Sequence, residues 1–208
     1  MAETSAALVK QLRDKTGAGM MDCKRALDES KGDLAEAEVI LRKKGIAAAA
    51  KRQTRVARQG AVGSYVHPGS QLGVLVEVNC ETDFVARTGD FQNLVKDIAM
   101  QIAAADPKWI RRDEVPAEIL AKEREIAADR ARNEGKPEKV IDKIVEGRLA
   151  KFYEEVCLLD QPFIKENTMT IEQLIKAKIT KTQENIVIAR FARFKVGEAA
   201  AASEEKAE

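Results

Sequence analysis

The spacing of apolar positions changes along the chain, and each change marks an element. Leu8, Val9 and Leu12 share one face of a helix that Ser5 is placed to cap, and Thr16-Gly17-Ala18-Gly19 breaks it. Met20, Cys23, Ala26 and Leu27 recur at helical spacing as far as about Ser30, and Gly32 suits a left-handed C-terminal position. Asp33, with Glu36 three residues on, opens a third helix as a variant capping box. That helix carries Leu34, Ala37, Ile40 and Leu41, with Gly45 expected to end it. The period then falls to two. Val62, Ser64 and Val66 alternate with Gly63, Tyr65 and His67; His67-Pro68-Gly69-Ser70 is turn chemistry; Leu72, Val74, Val76 and Val78 line one face of a second strand, with Leu75 and Glu77 on the other.

A helix is predicted from Thr82 or Asp83 to Ala105, with Phe84, Leu94, Ile98 and Ile102 as candidates for its buried side. Residues 116–157 read as a helical hairpin. Ile119, Leu120, Ile126, Ala127 and Ala131 mark one arm; Val140, Ile144, Val145, Leu149 and Phe152 mark the other; Gly135 and Pro137 sit in the turn between them. A short helix at about 170–179 leads to a last strand from Asn185 to Val196. The Ala- and Glu-rich residues 198–208 are expected to be disordered.

These elements make an α+β protein. Residues 1–45 form a three-helix N-terminal domain, and 46–59 a basic linker. Residues 60–197 form a core with a small antiparallel β-sheet, helices and a projecting helical hairpin at 116–157, ahead of a tail at 198–208. A module of about 45 residues is marginal alone, so it is expected to work attached to something larger.

Charge narrows the functions available. Lys and Arg number 35 against 34 Asp and Glu, a net of +1, and a bulk partner of nucleic acid usually shows more basic excess. The basic stretch at 42–58 holds Arg42, Lys43, Lys44, Lys51, Arg52, Arg55 and Arg58 with no acid and no aromatic. It reads as a solvated linker or helix extension, or as a contact to an acidic partner surface or to nucleic acid, and it lacks stacking platforms for single strands. No apolar run approaches the ~20 residues that span a bilayer, and Cys23, Cys80 and Cys157 are isolated, so a cytoplasmic protein is expected.

Catalytic motifs are missing. There is no phosphate-binding GxxxxGK[ST] loop, no GxGxxG, no GxSxG, no HExxH and no calcium loop, and His67 is the one histidine. The expectation is a binding or regulatory protein, not an enzyme, with no catalytic residues, no metal site, no cofactor and no nucleotide site of its own.

Two segments carry a resemblance. Leu12-Arg13-Asp14-Lys15-Thr16-Gly17-Ala18-Gly19-Met20-Met21-Asp22-Cys23-Lys24-Arg25-Ala26-Leu27 resembles the N-terminal signature of the bacterial elongation factor Ts family. Glu77-Val78-Asn79-Cys80-Glu81-Thr82-Asp83-Phe84-Val85-Ala86-Arg87 resembles its second signature. Gly135-Lys136-Pro137, Val145-Glu146-Gly147-Arg148-Leu149 and Leu158-Leu159-Asp160-Gln161-Pro162-Phe163 resemble further family segments in the expected order.

The resemblance implies a guanine nucleotide exchange factor in translation elongation, which binds elongation factor Tu carrying GDP and promotes GDP release. It implies that the N-terminal domain resembles a ubiquitin-associated fold and docks on the GTPase through Arg13, Gly19, Met20 and Met21. It further implies that Thr82, Asp83, Phe84 and Val85 intrude near the partner's Mg²⁺ site. Taken alone, Phe84 reads as a core residue and Asp83 as a helix N-terminal charge favoured by the dipole; Met20 and Met21 read as core, at least one of them buried. His67 reads as a residue shaping the hairpin turn, with a contact to the partner as the lesser alternative. The short chain has room for one core half, which leaves a sheet edge or face uncovered. A homodimer is therefore expected, with the strand at 185–196 near the interface. A helical adaptor or an RNA-binding accessory protein is the alternative; neither nucleic acid nor a membrane is required as a partner.

Overall fold

The structure, a computed structural model, describes residues 5–198; most of the tail expected to be disordered lies outside the described residues. In chain order the elements are α1 (Ala6–Thr16), α2 (Met20–Glu29), α3 (Leu34–Arg52), β1 (Gln59–Val66), β2 (Leu72–Cys80), α4 (Asp83–Ala86) and α5 (Gly89–Ala105). They continue as α6 (Ala117–Asn133), α7 (Glu138–Val156), β3 (Pro162–Phe163), β4 (Glu166–Thr170), α8 (Ile171–Thr182) and β5 (Ile186–Lys195). Strands β1, β2 and β5 lie in that order in one sheet, and β3 pairs antiparallel with β4. The class is α+β, as expected.

The chain divides into two compact units. One comprises the residues up to Gly60 with Asn79–Phe91 and Ile175–Val187; the other comprises Ala61–Val78, Gln92–Leu174 and the chain from Ile188.

In the first unit, α1, α2 and α3 close around Val9, Leu12, Cys23, Ala26, Leu27, Ala37 and Leu41. The caps form where the sequence places them. The Ser5 hydroxyl accepts from the Leu8 amide at 3.3 Å, and Asp33 Oδ1 accepts from Ala35 and Glu36 at 2.8 and 2.9 Å. Gly17 (φ 67°) closes α1 in the left-handed region, its amide donating to the Arg13 carbonyl.

Gly45 does not end α3, which runs on to Arg52. The glycine serves packing instead. A Cβ there would lie 2.9 Å from Thr180 Cγ2 of α8, and the Thr180 hydroxyl reaches the Gly45 carbonyl at 3.3 Å. Part of the stretch expected to be linker is therefore the last turns of this helix.

In the second unit, β2 buries Val74, Val76 and Val78 and leaves Leu75 exposed, following its alternation. Val62 and Val66 of β1 are exposed, so Ala61, Gly63 and Tyr65 form the inward side. A Cβ at Gly63 would come within 2.2 Å of Val95 Cγ1, so α5 packs on β1 only because that position has no side chain. The hairpin α6–α7 closes on Ala127, Ala131, Ile141, Val145 and Leu149, with Gly135 (φ 72°) in its turn. Two buried glutamines pin its base. Gln101 Nε2 donates to Gln161 Oε1 at 3.1 Å, and Gln161 Nε2 donates to the Glu155 carbonyl at 3.0 Å.

The helix expected from about Thr82 to Ala105 is two helices. Its first four residues form α4, and the chain turns at Arg87 and Thr88 before α5 begins. Leu94, Ile98 and Ile102 are buried as expected, but Phe84 is not: it is 80% exposed. Helical spacing counted through this break therefore does not apply to Phe84. The short pairing of β3 with β4 was not anticipated, because two residues of strand carry no readable period.

Candidate functional site

The corner between β2 and α4 presents the most exposed large apolar side chain among the described residues. Cys80 closes β2, and Thr82 caps α4 with an extended backbone (φ −125°, ψ 155°). The Thr82 hydroxyl accepts from the Val85 amide at 3.4 Å. Within α4 the Asp83 carboxylate meets the Arg87 guanidinium at 3.0 Å, four residues on. Ala86 is the buried residue of this turn, and Phe84 points away from it into solvent.

The corner is held from below by a segment that lies outside every family motif. Glu184, between α8 and β5, accepts at Oε2 from the Glu81 amide (3.1 Å) and the Thr82 amide (3.0 Å), and at Oε1 from the Thr82 hydroxyl (2.6 Å). In return Glu81 Oε1 accepts from the Asn185 amide at 2.6 Å, with Arg55 3.6 Å from the same oxygen. Asn185, 1% exposed, donates through its side chain to the carbonyls of Gln53 and Arg55. The Cys80 thiol is buried, donates to the Thr82 carbonyl at 3.1 Å, and has its pKa pushed up to about 11, chiefly by burial and secondarily by the nearby Glu184 charge. It stays protonated at neutral pH and is a poor nucleophile.

Met20 and Met21, at the start of α2, are 58% and 64% exposed, which overturns the expectation that one of them is core. Cys23, Ala26 and Leu27 take the buried positions instead. Gly19 is the N-cap of α2 and Arg13 is exposed on α1, so all four N-domain candidates lie on α1, the loop after it or the opening of α2. His67 is exposed beside the hairpin turn, with its Nδ1 3.0 Å from the Tyr65 hydroxyl and its amide donating to the Leu72 carbonyl at 2.9 Å. Both of these bonds lie within the hairpin.

Among the described residues, no group of three or more His, Cys, Asp or Glu is arranged to hold a metal ion, and no helix is long and apolar enough to cross a membrane. The exposed candidates are two methionines on a helical module and a phenylalanine on a braced corner. Apolar side chains exposed in this way are available to a partner.

Comparison with known proteins agrees. The family model described as elongation factor TS matches residues 31–198. An elongation factor Ts of Solibacter usitatus is 64% identical over 199 residues, covering 96% of this chain and 94% of its own length. One from Anaeromyxobacter sp. (strain Fw109-5) is 61% identical, covering 95% of this chain and 90% of its own, and one from Carboxydothermus hydrogenoformans is 58% identical, covering 95% and 91%. The family match and these relatives place the chain among translation elongation factors. The chain belongs to the elongation factor Ts family, whose role is guanine nucleotide exchange on elongation factor Tu.

Proposed function

We propose that the chain performs this exchange with two surfaces and no covalent chemistry. The N-terminal domain docks on the GTPase through Arg13, Gly19, Met20 and Met21. The corner of Thr82, Asp83, Phe84 and Val85 then enters the region where Mg²⁺ and the GDP phosphates are held. A GTPase grips GDP through a phosphate loop and Mg²⁺. A factor that binds the nucleotide-free state better must weaken nucleotide by the same ratio as nucleotide weakens the factor. A rigid apolar wedge that the nucleotide-bound state cannot accommodate supplies that difference. The exposure of Phe84 carries the reading: a large ring held 80% in solvent contributes little to this fold and is available to a partner.

The protein is further proposed to work in the cytoplasm, without a nucleotide site of its own, as a homodimer. The support for the dimer is the outer face of the sheet. Val62, Val66 and Leu75 are exposed there; Arg190 reaches Glu77 on the same side at 2.7 Å, and Phe194, four residues on, is also exposed. A second copy would cover this apolar face together with β5 at the sheet edge.

The test is release of labelled GDP from elongation factor Tu by catalytic amounts of wild type and of Phe84→Ala. The variant is expected to keep its melting temperature and to lose roughly tenfold or more in saturating release rate. A variant that melts several degrees lower and exchanges normally per folded molecule would return Phe84 to a structural role.

A further inference from the structure

Glu184 lies 102 residues along the chain from Thr82, outside every signature segment, yet it makes three hydrogen bonds to the corner. The two amides it accepts from, those of Glu81 and Thr82, are the main-chain donors that β2 and α4 leave between them. Hydrogen bonds to a charged acceptor are about twice as strong as neutral ones. The third bond matters differently. By accepting a hydrogen bond from the Thr82 hydroxyl, Glu184 turns the lone pairs of that oxygen toward the Val85 amide, so one side chain orients the cap that starts α4. Gln183, in the left-handed region (φ 63°) without being glycine, and the Asn185 amide on Glu81 fix Glu184 from both sides.

We propose that Glu184 is a positioning residue for nucleotide exchange. Its carboxylate clamps the Glu81–Thr82 corner and so holds α4 at the angle that presents Phe84 to the GTPase. This rests on the reading that Phe84 acts on the partner. Without the clamp the protein still folds and docks, but the wedge arrives in many orientations, so the loss falls on the rate in the complex rather than on its formation.

The experiment measures GDP release from elongation factor Tu against factor concentration for wild type, Glu184→Ala, Glu184→Gln, Phe84→Ala and the Glu184→Ala/Phe84→Ala pair. Amide hydrogen exchange at Glu81, Thr82 and Val85 is measured in each free protein. Glu184→Ala is expected to lower the saturating rate about tenfold, with the half-saturating concentration changed less than about twofold. Those amides should lose protection, and the double variant should be no slower than Phe84→Ala alone. Glu184→Gln should fall between, because its carbonyl still accepts the two amides while its NH₂ cannot accept the Thr82 hydroxyl proton; it also serves if Glu184→Ala folds poorly. A slow Phe84→Ala beside a normal Glu184→Ala overturns the role of Glu184 alone. A loss on Glu184→Ala that is as large without Phe84 as with it also overturns the role, leaving Glu184 a residue of the fold. A Phe84→Ala protein with the wild-type rate overturns the wedge itself, and the positioning role with it.

Discussion

Gly63 and Val95 occupy a space that admits only one side chain between them. A methyl group on Gly63 would stand 2.2 Å from Val95 Cγ1, and valine, branched at Cβ, has little freedom to turn away. Gly63→Ala is therefore expected to destabilise the protein by about 1–3 kcal/mol, as overpacking does. At this chain length the melting temperature should drop by several degrees, as read by circular dichroism. The pair Gly63→Ala/Val95→Ala should recover part of the loss; if it only adds to the damage, the contact is not the cause.

Met20 and Met21 are expected to act on association alone. Both side chains are mostly in solvent, so replacing both with alanine should leave the melting temperature within about a degree. The half-saturating concentration for GDP release should rise roughly fivefold to tenfold, the scale of one well-packed contact, while the saturating rate holds. An unchanged half-saturating concentration would remove these methionines from the docking surface.

Cys80 and Cys157 give the protein an alkaline weakness. Both thiols are fully buried, and burial, the main cause in each case, pushes both up to about 11 from an ordinary value of 9.0. Between those values the unfolded chain has released protons that the folded chain still holds. Stability is thus full below about pH 9 and falls as pH rises toward about 11. The urea midpoint should decline over that range, and less steeply in a Cys80→Ala/Cys157→Ala variant, which separates the thiols from tyrosine and lysine. Equal declines in both proteins would count against the assignment.

Light scattering in reducing buffer is expected to report a dimer that Leu75→Glu and Phe194→Glu convert to monomer. All three cysteines are free and buried, so the dimer should not depend on oxidation. A monomer at tens of micromolar, the range in which a specific interface of standard size holds, would leave the sheet face to some other occupant.

What the sequence revealed depended on how local each signal was. Ser5, Gly17, Asp33 and Gly135 act within a few residues of themselves, and their caps and turns were readable. At Gly45 a helix-ending glycine and a close-packing glycine look alike in sequence until Thr180, 135 residues away, is in view. Helical spacing puts Phe84 on a buried face because Arg87-Thr88-Gly89 contains no proline to announce the break between α4 and α5. The family resemblance points to the corner as a candidate regardless of this, since it concerns the residues themselves and not their exposure. Glu184 was invisible: one acid before a strand has no local mark, and its importance arises only when the fold brings it under Thr82.

If the GTPase covers the solvent-held ring of Phe84, the protein's action is tied to temperature. Apolar surface that passes from water into a partner carries a negative change in heat capacity, and the gain from burying it weakens on cooling. A salt bridge or hydrogen bond in the same place would not impose that curvature. If the ring is what the GTPase covers, a plot of complex stability against temperature should bend, and replacing Phe84 with a smaller side chain should flatten it. The organism's coldest growth conditions would then be the ones in which this corner contributes least.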